Sequence, residues 1–156
     1  MLEIDIPGRD TIYLDNLLMD FNGTLAVDGY LIEGVAQKLR ELSAQLNLMI
    51  LTADTFGLVE ESCKDLPVTI QKIAKGEEQA QKCDVLKRMG GSHTAAIGNG
   101  SNDCLMLQEA VLGICVMGGE GTSLKTFSSA DICVPDIITA LKLFLNPTRI
   151  IATLRV

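Results

Sequence analysis

The 156-residue chain reads as a single α/β domain, a three-layer sandwich whose mainly parallel sheet has at least five strands and helices on both faces. Short apolar runs alternate with helical patterns along most of its length, which is the beat of a parallel βαβ sheet. The core that those runs imply is aliphatic, because 47% of the residues are hydrophobic while Trp is absent and aromatics reach only 4%. Strands of a parallel sheet are buried on both faces and therefore read as continuous Val, Ile and Leu runs. A chain of this length supplies one sizeable core and not two ordinary ones. No repeat, low-complexity linker or charge block marks a boundary within 1–156.

Within residues 1–15, "LEIDI" and "TIYL" alternate apolar and polar positions, as an antiparallel edge hairpin or extra edge strand does. "NLLMDF" is the first buried strand. "LIEGVAQKLRELSAQ" then places Leu31, Val35, Leu39 and Leu42 on one helical face. "LNLMILTA" and "PVTIQKI" give two more strands with room for a helix between them. "GEEQAQKCDVLKRMGG" is a helix ending in glycines suited to its C-terminus. "TAAIGN", "LGICVM" and "DICVP" complete the sheet. The apolar stretch "ALKLFLNPTRIIATLRV", with residues 146–156 as a C-terminal tail, either packs as another edge element on its own subunit or supports a homo-oligomer.

Charge and composition exclude several classes. A net charge of −7 without a basic run speaks against nucleic acid, whose phosphates require clustered Lys and Arg. No apolar segment approaches the ~20 residues that span a bilayer, and "MLEIDIPGRD" is not a leader, so a cytoplasmic protein without membrane contact is expected. The five cysteines are odd in number and form no C-x-x-C pair, which suits reduced, core-filling thiols.

In such a sheet the ligand site lies at the carboxyl ends of the strands, and polar residues gather at three of them. The first strand ends in Asp20, Asn22, Gly23 and Thr24, the second in Thr52, and the fourth runs into "IGNGSND" with Asn99, Gly100, Asn102 and Asp103. Singly, each has a plain reading as a turn or cap, and Lys82, on the helix before the fourth strand, as a solvated lysine. Together they fit phosphoryl transfer through an aspartate. Asp20 would attack phosphorus beside a cradle of turn amides at Gly23 and the Thr24 hydroxyl. Repulsion between that carboxylate and a phosphate calls for a hard cation, with Asp103 supplying a second carboxylate. Lys82 and Thr52 would neutralise and bind the equatorial oxygens.

"DFNGTLAVDG", "ILTADT", Lys82 opening "KCDVLKRMGG" and "AIGNGSNDCLML" resemble, in order, the four signature motifs of the haloacid dehalogenase (HAD) superfamily, over residues 16 to about 135. The stretch from "AVLGICVMGGEG" through "SSADICVPD" to "NPTRIIATLR" is most similar to the small stand-alone proteins described as soluble P-type ATPase-like. The resemblance implies a capless HAD-like Rossmannoid fold and a Mg²⁺-dependent aspartyl-phosphate mechanism. It makes Asp20 the nucleophile, puts Asn22, Thr52 and Lys82 in the catalytic set, and gives phosphate binding to Gly23, Thr24, Thr52, Ala53 and Lys82. It assigns the metal to Asp20, Asn22 through its carbonyl, Asn99 and Asp103. The substrate is then a phosphorylated small molecule or a macromolecular phosphoester.

Two positions depart from the family pattern. Most phosphatases of the superfamily have a second Asp where this chain has Asn22, and an amide cannot titrate to protonate a leaving group or activate water. Asn99 stands where a further metal-binding Asp is usual, so weaker Mg²⁺ binding is expected. A slow phosphatase is the favoured reading. The alternatives are a degenerate HAD-fold binding module without catalysis and a phospho-acceptor switch domain. His93 before the fourth strand reads as a solvated turn residue and Asp28 and Asp54 as turn or cap residues, with Asp54 the nearest candidate in the sequence to activate water in place of Asn22.

Overall fold

The computed structural model describes residues 1–54 and 57–156. An N-terminal hairpin, β1 (Leu2–Ile4) and β2 (Ile12–Leu14), pairs antiparallel as a small sheet of its own and not on the edge of the main sheet. β3 (Asn16–Asp20) follows, then a two-stranded flap of β4 (Ala26–Val27) and β5 (Tyr30–Leu31). α1 (Val35–Leu42) leads to β6 (Asn47–Thr52), and α2 (Leu58–Cys63) to β7 (Thr69–Lys72). α3 (Glu78–Met89), β8 (Thr94–Gly98), α4 (Cys104–Glu109), β9 (Leu112–Val116), α5 (Leu124–Ser129) and β10 (Ile132–Val134) continue the alternation. α6 (Ile137–Leu145) and α7 (Thr148–Leu154) close the chain.

All six expected apolar runs are strands, and they form one parallel sheet in the order β10-β9-β8-β3-β6-β7. The first strand of that sheet is therefore central. The chain fills the β6–β7 side before crossing to β8, and the reversal opens a crevice between β3 and β8 at their carboxyl ends. Pleat alternation divides the core. Leu17, Met19, Leu48, Ile50, Ala95 and Ile97 face α1, α6, α7 and the N-terminal hairpin. Leu18, Leu51 and Ala96 face Val85 and Leu86 of α3 and Met106 and Leu107 of α4.

Two expectations are revised. Leu31 belongs to the flap and not to the helix that begins at Val35, because Gly34 takes a left-handed conformation and starts α1 late. The apolar tail is helical and buried in its own chain. Ile150 and Leu154 join the core, and the Val156 amide donates to the Pro7 carbonyl, so the tail gives no reason for a homo-oligomer. Among the described residues no single helix is long and apolar enough to cross a membrane; α6 and α7 reach that length only as a pair bent by 105°.

The backbone is tight where α4 meets β9. A Cβ at Gly113 would collide with the main-chain carbonyl of Leu107. Gly113→Ala is expected to lower stability by about 1–3 kcal/mol, the usual range for overpacking, and the denaturant midpoint measures it.

Candidate active site

Asp20 ends β3, Thr52 ends β6, and Asn99 follows β8, so three adjacent parallel strands deliver their last polar residues to one crevice. A cavity of about 280 Å³ lies there, lined by Asp20, Asn22, Thr52, Ala53, Lys82 and Asn99 together with Glu78, Gly100 and Asn102. A larger cavity of about 590 Å³ sits at the opposite, amino end of the sheet beside Asn16 and Asn47, and no titratable side chain lines it. Among the described residues the titratable lining groups Asp20, Glu78 and Lys82 belong to the smaller one. His93 is exposed at the amino end of β8, away from it.

The centre of the site is an ionic triad. Lys82 Nζ lies 2.7 Å from Asp20 Oδ1 and 2.7 Å from Asp103 Oδ1, and the ammonium is only 2% exposed. The helix makes that reach possible, since α3 carries Cys83, Val85 and Leu86 into the core and so presses the Lys82 stem against the sheet. The single Thr24 hydroxyl hydrogen is shared between Asp20 Oδ2, 3.0 Å from Oγ1, and Asn99 Oδ1, 3.1 Å from it. Thr52 Oγ1 accepts from the Asp54 amide at 3.0 Å, and Asp54 Oδ2 accepts from the Val59 amide at the start of α2. Asp54 thus has the capping role read from its sequence.

Two glycines allow these groups to meet. Gly23 has a φ of +80°, and a Cβ on it would lie 2.5 Å from Asn99 Nδ2. A Cβ on Gly98 would lie 2.5 Å from Asp103 Cγ, so a side chain there would push the acid off the strand end.

Asp103 lies on the loop after β8 with both oxygens engaged. Oδ1 is bound to Lys82 and Oδ2 accepts from the Asn99 and Gly100 amides at 2.9 and 3.0 Å. Fully buried behind the cavity wall, it anchors the ammonium and folds the loop after β8. Asn99 is a clip between two segments. Its Oδ1 takes the Thr24 hydroxyl and its Nδ2 donates to the Gly121 carbonyl at 2.9 Å, a bond that Asp could not make. Among the described residues, no group of three or more His, Cys, Asp or Glu side chains is placed to hold a metal ion.

Glu78 and Asn102 are the lining residues with side chains that the motifs did not assign to a role. Glu78 Oε2 accepts from Asn102 Nδ2 at 2.7 Å, and Asn102 Oδ1 lies 3.4 Å from Lys82 Nζ. The available signal was spacing, because Glu78 stands four residues before Lys82 and so shares its helical face.

Two carboxylates and one ammonium leave the buried triad one negative charge in excess. Burial first, and then the charge of Asp103, push the Asp20 carboxyl up to about 7, against the pull of Lys82 and Thr24. For Lys82 the two carboxylates outweigh burial and hold the ammonium above its ordinary value.

No protein-family profile matches the chain. The uncharacterized protein MJ0073 of Methanocaldococcus jannaschii is 46% identical over 84 residues, 51% of this chain and 90% of that protein. MJ0072 of the same organism is 46% identical over 42 residues, 27% of this chain and 96% of its own length. This chain belongs to one family with MJ0073. Among solved structures, the cobalt-bound deoxy-D-mannose-octulosonate 8-phosphate phosphatase of Haemophilus influenzae superposes with a TM-score of 0.71 at 14% identity, covering 89% of this chain and 91% of that one. The corresponding Moraxella catarrhalis enzyme, in complex with magnesium, phosphate and its sugar acid, gives 0.70 at 20% identity, over 91% and 94%. A HAD superfamily hydrolase of subfamily III A from Legionella pneumophila gives 0.71 at 17% identity, over 90% and 87%. The chain has the HAD fold. Its flap between β3 and α1 is a two-stranded hairpin, and no cap-like domain extends the HAD core among the described residues.

A buried carboxylate whose folded pKa lies above its unfolded value of ~3.9 contributes stability at low pH that is lost as pH rises through the folded value. For Asp20 that window runs from about 4 to about 7. Asp20→Asn removes the excess charge, so in metal-free buffer it is expected to melt a few degrees higher than the parent at pH 8 and to lose most of that advantage at pH 5. Paired thermal melts at the two pH values measure it.

Proposed function

We propose that the protein is a slow phosphatase or phosphotransferase in which Asp20 carries the phosphoryl group. The observation that supports this most directly is the convergence on one cavity of a strand-tip carboxylate, a buried ammonium and Thr52 from three separate elements, with the Thr24 hydroxyl bound to the carboxylate from behind. Asp20 is the nucleophile, held in place by the Thr24 hydroxyl. Lys82 faces the oxygens on which negative charge gathers, and Thr52, Ala53 and the Gly23–Thr24 turn complete the cradle. The HAD fold adds weight, since the similar structures include phosphatases of octulosonate 8-phosphate and a phosphoserine phosphatase carrying a phospho-aspartyl intermediate analogue. A phosphorylated small molecule fits a cavity of this size better than a macromolecular phosphoester.

The donor set fits Mg²⁺ in a lean form. Asp20, the Asn22 carbonyl and the Asn99 amide oxygen are hard oxygen donors at the cavity, and Mg²⁺ is commonly held by one or two carboxylates with water and substrate phosphate. When bound, the ion offsets charge between Asp20 and the incoming phosphate. Asn22 moves no proton, so an alkoxide leaving group departs without help from that position, and turnover is slow for poor leaving groups.

The test is chemical trapping. With ³²P-labelled acetyl phosphate and Mg²⁺, the protein should form an acid-stable, hydroxylamine-labile phosphoenzyme that Asp20→Asn does not form. Beryllium fluoride with Mg²⁺ should raise the melting temperature of the parent and leave that of Asp20→Asn unchanged. A parent that neither labels nor responds to beryllium fluoride would be a binding module without catalysis.

A further inference from the structure

We infer that Glu78 is the general base that releases the phosphoryl group from Asp20, in the place left open by Asn22. The inference rests on the phosphoaspartyl reading above. Hydrolysis of an aspartyl phosphate requires a group that takes a proton as water attacks phosphorus, and a carboxylate ionised at neutral pH is suited to it. Asn22 has no titratable atom. Asp103 is fully buried with both oxygens engaged, and Asp54 caps α2 without lining the cavity. Glu78 is the carboxylate that shares the cavity with Asp20 among the described residues.

Its position suits the task. Glu78 opens α3 and precedes Lys82 by one helical turn on the same face, so a half-buried carboxylate stands above the buried ammonium that contacts Asp20. A plain alternative exists, since an acid in the first turn of a helix gains from the macrodipole. That gain needs only a charge near the helix end and leaves the side chain in water. Here Oε2 is instead turned inward onto Asn102 of the β8 loop at 2.7 Å, and Asn102 reaches Lys82 at 3.4 Å. That bond restrains the carboxylate at the cavity lining and leaves Oε1 without a role in it.

The step balances without any co-reactant beyond water. Glu78 takes a proton from water as the water oxygen bonds to phosphorus. The bond between phosphorus and the Asp20 oxygen breaks, its electron pair stays on the Asp20 carboxylate, and inorganic phosphate leaves. The proton on Glu78 passes to phosphate or solvent.

Rapid quenching with ³²P-labelled acetyl phosphate and Mg²⁺ separates loading of Asp20 from its release. Glu78→Gln keeps the acceptor for Asn102 and loses the base. It should load at the parent's rate and amplitude and release on the order of 10²-fold more slowly, within the usual span of general-base catalysis. Glu78→Ala should release as slowly and be accelerated by added formate, a small carboxylate that can occupy the vacated space. Release from Glu78→Gln at the parent's rate overturns the assignment while leaving the phosphoaspartyl reading intact. Loss of loading in Glu78→Gln, or no response of Glu78→Ala to formate, overturns it too, because a merely architectural residue behaves so. A parent that never loads overturns both readings.

Discussion

One ammonium organises this molecule. Lys82 is buried between Asp20 on the central strand and Asp103 on the loop after β8, 2.7 Å from an oxygen of each. Removing three charged groups from water costs several kcal/mol per ion, and a buried pair of this kind seldom repays that in stability. The arrangement is therefore better understood as function imposed on a fold that tolerates it. The aliphatic core on both faces of the sheet supplies the burial energy that offsets the desolvated charges at its carboxyl edge.

The two amides, Asn22 and Asn99, change the character of this site in different ways. A second acid in place of Asn99 would add a negative charge beside a triad that already carries one in excess, and it would lose the bond to the Gly121 carbonyl. The amide instead ties the turn after β3 to the loop after β9, so the surroundings of Asp20 are held by hydrogen bonds. Asn22 keeps the tight turn, bridging to Ala26, without bringing a titratable group to the cavity. With no titratable atom at Asn22, the acidic side chains that line the cavity among the described residues are those of Asp20 and Glu78.

Topology explains why elements far apart in the chain act together. Residues 20, 52, 82 and 99 span about half of the chain, but the reversal from β7 to β8 places the ends of β6, β3 and β8 side by side. α3 makes that crossover, and its buried face delivers Lys82 from one side while its first turn delivers Glu78 to the mouth. Two residues four apart on one helix thus occupy the floor and the rim of the same cavity.

The sequence by itself determined the class of fold and the order of its strands along the chain. Burial on both faces forces each strand to be a continuous apolar run, and such runs are visible without coordinates. It also marked Asp20, Thr52 and Asn99, because polar residues that end buried strands break a pattern, whereas Lys82 on its helix stood out only in combination with them. Only the tertiary structure decided how the oxygens of Asp103 are spent, since a carboxylate's partners depend on which main-chain amides and which ammonium it meets. It alone buried the apolar tail in its own chain, turned Asn99 into a clip and brought Glu78 to the cavity. Those outcomes rest on contacts between residues distant in sequence, and local periodicity carries no information about which distant partner a side chain will find.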